Sequence, residues 1–148
     1  MVKSNDVNIK NMIKTFNELG VDNLDVLDSF YEVKAEFQDP AVKIKGLANL
    51  KKYYAAVYKN VKSIQFDFTE IVKNDLCYYA TWTMHLSAKG LNSGKKYSVE
   101  GLSVIRFNEK NLVTYHRDYF DLGGMVYEKL PVLGPLVGLI KKKLAHGM

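Results

Sequence analysis

The residues of this chain best suited to chemistry stand together in the run His116-Arg117-Asp118-Tyr119-Phe120-Asp121. Residues two apart on a strand share a face, with Cα atoms roughly 7 Å apart. If Asp118 faces an interior, His116 faces it too, and Phe120 continues the same row. An apolar pocket favours the neutral form of a carboxyl, and a charged histidine beside it favours the carboxylate. A pair held in that balance can pass a proton near neutral pH. The competing reading makes Asp118 a buried structural acid, capping backbone or bonding a tyrosine, with His116 serving to pack.

Asp39, directly before Pro40, is a second carboxylate. It is either a base held by its turn at a pocket mouth or an ordinary Asx-type turn residue. Trp82, Met84 and Leu86 alternate along one segment and either line a cavity or fill the core; His85 then faces the other way as a structural histidine. Of Tyr53, Tyr54 and Tyr58 on one helix, at least one is expected to face inward; Tyr54 lies on the apolar stripe, where its hydroxyl either orients a ligand or its ring simply packs in the core. Ser103 is counted with the pocket lining. It is no nucleophile elbow, because Gly101-Leu102-Ser103 lacks the second glycine. The three histidines and Cys77 show no metal-ligand spacing, and Gly123-Gly124 lacks the rest of a phosphate-binding loop. No metal and no cofactor are expected.

The elements that must position these residues follow from periodicity. Ile9, Met12, Ile13, Phe16 and Leu19 recur at helical spacing up to Gly20. A second short helix fits Asn23 to Phe30, with Asp22 as its N-cap. Val33, Ala35 and Phe37 alternate with polar neighbours as a half-buried strand, closed by Asp39-Pro40. A third helix after Gly46 carries Leu47, Leu50, Tyr54, Val57 and Val61. From Ser63 to Asp121, runs rich in aromatic and β-branched residues alternate with short polar turns, which reads as an antiparallel meander. Helices followed by a meander are α+β. The helices cover one face of a bent sheet and leave a cone with a cavity.

The 148 residues make one domain, with a core of about 5–122 and a helical extension of about 123–146. Hydrophobic residues are 47% of the chain, enough for a real core. Net charge is +5, but Arg106 and Arg117 are the only arginines and Lys141, Lys142 and Lys143 hold part of the excess at one end. That pattern argues against nucleic acid. A lone Cys77 fits a reducing compartment, and the polar N-terminus lacks a signal-peptide core; a cytoplasmic location is expected.

Two motifs carry a family resemblance. Phe37-Gln38-Asp39-Pro40, preceded by Asp28-Ser29-Phe30-Tyr31 and followed by the Gly46 helix, looks like the segment of ketosteroid isomerases that holds the general-base aspartate. Arg117-Asp118-Tyr119-Phe120-Asp121-Leu122 closely resembles the last strand of limonene epoxide hydrolase and SnoaL-type polyketide cyclases, where the aspartate matching Asp118 moves a proton. The layout of nearly the whole chain resembles the SnoaL-like branch of the nuclear transport factor 2-like superfamily. This resemblance implies a cystatin-like α+β cone: a strongly bent antiparallel sheet covered by three N-terminal helices, here with an added C-terminal helical tail. It also implies a homodimer through the outer sheet face, where Arg117 and Tyr119 would lie. Some family partners are replaced. Thr15-Phe16 stands where isomerases keep a tyrosine, Ser103 where they keep a protonated aspartate, and Thr83-Met84-His85-Leu86 where the epoxide hydrolase keeps an arginine and an aspartate. No single family mechanism transfers whole.

The expected function is a pocket for a small apolar or polycyclic molecule. One form is a cofactor-free isomerase, cyclase or hydrolase step with Asp118 as acid/base, His116 as its partner and Asp39 as a second carboxylate. The other is non-catalytic ligand binding, or a dimeric scaffold. In the tail, Leu133, Leu136, Val137, Ile140 and Leu144 form one face opposite the lysines. That face is expected to pack on the domain or cover the pocket entrance, with contact to an anionic membrane surface as the other reading.

Overall fold

The structure, a computed structural model, describes residues 2–147; Met1 and Met148 of the expected 1–148 unit lie outside the described residues. Asp6 starts α1 (Val7–Glu18), because its carboxylate accepts from the Asn8 and Ile9 amides that the first turn leaves unpaired. Ile9, Met12 and Phe16 are the buried face of that helix. The expected second helix is a 3-10 helix, Leu24–Ser29. Asp22 does not cap it: Asn23 stands at that position and makes no side-chain cap bond.

β1 (Tyr31–Gln38), a short β2 (Lys43–Lys45) and α2 (Leu47–Tyr58) follow, then β3 (Val61–Asn74), β4 (Cys77–Ala88), β5 (Tyr97–Phe107) and β6 (Val113–Phe120). The sheet runs β2-β1-β6-β5-β4-β3. β3 to β6 form the antiparallel meander that their short turns dictate. β1 joins it by lying parallel to β6. Phe16 of α1 meets both ends of the meander: its ring lies 5.2 Å and 5.4 Å from Phe66 and Phe68 of β3, and 5.5 Å from His116 of β6. The sheet therefore curls around the helix.

Two inward assignments shift. On β1, Tyr31 pairs with Val113 and Glu36 with Tyr115, so the longer β1 stretch bulges. The bulge turns Val33 outward to 72% exposure, while Tyr31, Ala35 and Phe37 stay buried. On α2, Val57 is exposed and Tyr58 takes the buried place.

The tail forms α3 (Leu122–Met125), a 3-10 turn (Tyr127–Lys129) and α4 (Leu133–His146). Pro131 lies before α4 and Pro135 in its first turn, where a missing N–H costs no helix bond. The expectation that the apolar face of α4 packs on the domain is corrected. Leu136, Leu139, Ile140 and Leu144 are 53–68% exposed, and α4 packs mainly on the 127–129 turn. The cause is the inserted turn, which carries the helix away from the sheet. No helix among the described residues is long and apolar enough to cross a membrane.

One glycine shapes the interior. Gly101 pairs with Trp82 across β5 and β4. A Cβ at Gly101 would lie 2.2 Å from Cη2 of the Trp82 indole, so only glycine lets the ring lie flat on the sheet. Gly101→Ala should displace the indole and destabilise the protein by about 1–3 kcal/mol, the usual cost of overpacking. Urea unfolding and the emission of the chain's single tryptophan check this; an unchanged midpoint and spectrum would contradict it.

Candidate active site

β6 supplies the carboxylate. Asp118 Oδ1 accepts two hydrogen bonds, one from Ser103 Oγ at 2.5 Å and one from His116 Nε2 at 2.7 Å. Ser103 is the cross-strand partner of Asp118 on β5, so sheet register alone places it. Ser103 Oγ in turn accepts from Trp82 Nε1 at 2.8 Å, which holds the serine hydrogen toward the carboxylate. On the other side, His116 Nδ1 lies 2.5 Å from the Tyr31 hydroxyl. In the tautomer that carries its proton on Nε2, the imidazole donates to the carboxylate and accepts a hydrogen bond from the Tyr31 hydroxyl at Nδ1. Two donor chains, Trp82–Ser103 and Tyr31–His116, thus converge on one oxygen. Asp118 Oδ2 makes no hydrogen bond among the described residues.

Asp118 lies on the wall of a cavity of about 550 Å³, between α2, the inner sheet face and the start of the tail. Trp82, Met84, Leu86, Tyr54 and Phe120, all nominated from sequence, line it, together with Phe37, Phe66 and Ile64. Leu122, Met125 and Val126 add to its lining from the tail, whereas α4 contributes nothing, so the helix does not cover the entrance. A chamber of about 70 Å³ lies behind, sharing Tyr54, Tyr58, Phe66 and Asp118 with the main cavity. A larger groove of about 800 Å³ separates α1 from the β3 edge, but neither Asp118 nor any group bonded to it reaches that groove.

His116 and Ser103 are not on the cavity wall. They are 1% and 0% exposed, while the Asp118 side chain keeps 16%. Both act behind the carboxylate as positioning groups. Asp39 does line the cavity, but both of its oxygens are engaged: Oδ1 accepts from the Ala41 and Val42 amides at 2.7 Å and 2.8 Å, and Oδ2 from the Tyr53 hydroxyl. This is the turn-capping role, and it leaves no oxygen of Asp39 free for a substrate. On the outer face, His85 bridges Ser98 Oγ and Asp67 Oδ2, and Arg117 lies over the Tyr119 ring at 4.5 Å.

The site includes groups that the sequence reading did not single out. Tyr31 orients His116, and Tyr58 joins Tyr54 on the wall. Both carried a signal: Tyr31 continues the Ala35/Phe37 alternation, and Tyr58 follows Tyr54 by one helical turn. Burial, then the neighbouring Tyr31 and Asp118, push the Tyr54 hydroxyl well above its ordinary range. Burial and Asp118 do the same to Tyr58. Burial raises Tyr53, reinforced by its bond to Asp39. It also raises Tyr31, against the opposing effect of the Tyr54 hydroxyl. These hydroxyls are held as neutral donors, and that of Tyr58 has no hydrogen-bond partner among the described residues.

Comparisons with known proteins agree with this architecture. No curated protein matches the sequence significantly. Among solved structures, a protein of ketosteroid isomerase-like fold from Catenulispora acidiphila, in complex with trimethylamine, superposes with a TM-score of 0.73 at 14% identity, over 86% of this chain and 96% of that one. TsrD from Streptomyces laurentii gives 0.67 at 19% identity, over 85% and 93%. TerC, co-crystallised with polyporic acid, gives 0.68 at 13% identity, over 80% and 94%. At these identities the likeness is one of fold. The model of the SnoaL-like domain matches residues 10–116, from the body of α1 to the histidine behind Asp118. The chain therefore belongs to the SnoaL-like domain family.

Proposed function

We propose that this protein takes a small, flat, largely apolar molecule into the cavity and that Asp118 moves a proton on it through Oδ2. The observation that carries this reading is a carboxylate fixed at one oxygen and free at the other on a wall made mostly of aromatic and aliphatic side chains. The volume falls within the range of small-molecule sites. A carboxylate with no structural bond left to give would have no reason to face such a space. The Ser103 and His116 bonds hold the carboxylate in one orientation, which is what a base needs before it meets its substrate.

Oδ2 removes a proton from a carbon or hydroxyl of the bound molecule, and negative charge develops on a substrate oxygen. The hydroxyls of Tyr58 and Tyr54, neutral because burial disfavours phenolate, can donate to that oxygen; preorganised donors of this kind usually supply the largest catalytic term. The proton returns from Asp118 at another atom, giving isomerisation or ring closure without a cofactor. A second reading, hydrolysis, draws on the small chamber behind Asp118. Its 70 Å³ is room for about two waters at roughly 30 Å³ each, one of which Asp118 could activate. TerC, which shares the fold, was co-crystallised with polyporic acid, in keeping with a cyclic ligand here.

Two measurements check the proposal. Mass spectrometry of small molecules released from the denatured protein identifies a candidate ligand, and its hydrogen–deuterium exchange in heavy water then reports proton transfer. Asp118→Asn should slow exchange by about 100-fold or more, the usual contribution of a positioned base, with binding nearly unchanged. Exchange that persists in the variant removes Asp118 from the reaction, and binding without any exchange in the parent protein assigns a holding role only. The tyrosines give a pH dependence. Their raised values mean that above about pH 10 the unfolded chain has lost phenol protons that the native state keeps. Stability therefore falls as pH rises beyond that point. In an alkaline titration the exposed tyrosines should ionise first, and the remaining phenolate absorbance should arise only together with loss of circular dichroism. Full phenolate absorbance while the fold persists would contradict the burial of these hydroxyls.

A further inference from the structure

The helix α4 meets the rest of the chain with the side an amphipathic helix usually turns to water. Gly134 lies so close to the 127–129 turn that a Cβ there would come within 2.5 Å of the Glu128 carbonyl oxygen. Lys141 pairs with Glu128 and lies 3.8 Å from Asp121. These contacts tie down the glycine and lysine side. The opposite side carries Leu136, Ile140 and Leu144 at 53%, 53% and 68% exposure, with Leu139 at 64% beside them. Exposing such a stripe is unfavourable in water unless something covers it.

Charge indicates what covers it. The segment 129–148 contains no acidic residue, and Lys142 and Lys143 make no salt bridge among the described residues. At helical spacing Lys143 falls between Leu136 and Leu139 and Lys142 lies beside Leu139, so their stems can run along an apolar surface while their charges reach a polar layer above it. A second copy of α4 would set lysines against a helix with no carboxylate to receive them. An anionic lipid surface offers both partners at once, acyl chains for the stripe and headgroup charge for the lysines.

We infer that α4 is a peripheral membrane-docking element that lies flat on an anionic lipid surface. The segment leading into it carries Leu122, Met125 and Val126 of the cavity lining. Docking thus holds that side of the cavity close to a reservoir of apolar molecules. The inference does not depend on the chemistry proposed for Asp118.

Flotation of the full chain with vesicles tests it. The protein should float with vesicles of equimolar phosphatidylcholine and phosphatidylserine, remain behind with phosphatidylcholine alone, and be released by salt. Lys142→Gln with Lys143→Gln should cut binding by about tenfold or more, as expected for two surface lysines. Leu136→Ser with Ile140→Ser should abolish it; both positions are exposed, so far-ultraviolet circular dichroism should not change. Asp118→Asn should float like the parent, which separates this result from the fate of the proposed activity. No flotation with the anionic vesicles, or flotation equal in the lysine variant and the parent, overturns the proposal. So does a dimer in solution that the Leu136/Ile140 variant dissolves, because a second copy would then be the cover.

Discussion

The double hydrogen bond to Oδ1 of Asp118 is the constraint on which the interior depends. A carboxylate at the floor of an apolar cavity is costly unless its charge is met by donors. Ser103 and His116 meet it from two strand positions, and each needs a partner of its own. Trp82 satisfies the serine and Tyr31 the histidine. The chain of requirements reaches Gly101, whose missing side chain lets the Trp82 indole lie where its N–H can reach Ser103. A network satisfied at every member is rigid, and rigidity at one oxygen leaves the other oriented and unengaged.

Around that network the aromatic residues serve two ends. Phe16, Phe37 and Tyr31 enclose the His116 ring at centroid distances of 5.5, 5.0 and 6.0 Å, shielding it from the cavity. Phe66, Trp82 and Phe120 face the cavity itself. Phe37 does both, since it also lines the cavity. Asp39 shows the opposite resolution of the same problem. Its turn and Tyr53 consume both oxygens, so it stabilises the entry to α2 instead of facing a ligand.

The tail follows another logic. Its polar anchor to Glu128 and Asp121 orders α4 without burying it, which leaves an apolar stripe of four aliphatic side chains outside the core. The domain proper thus satisfies its own carboxylate internally, while its C-terminal helix leaves its apolar surface unsatisfied.

The α+β order, the meander from β3 to β6 and the shared inward parity of His116, Asp118 and Phe120 were all legible in the sequence, because each depends on residues a few positions apart. Periodicity, turn residues and proline act locally, and local rules suffice to read them. The partners of Asp118 were not legible as partners. Ser103 is 15 residues away and comes opposite through strand register; Tyr31 reaches His116 across 85 residues through the parallel pairing of β1 with β6. The bulge that turns Val33 outward and the attitude that turns the leucines of α4 to solvent are likewise set by long-range packing. Sequence determined which residues could carry charge and which faces were apolar. Only the tertiary structure decided which oxygen of which aspartate was left free, because that depends on what the folded chain brings within hydrogen-bond reach.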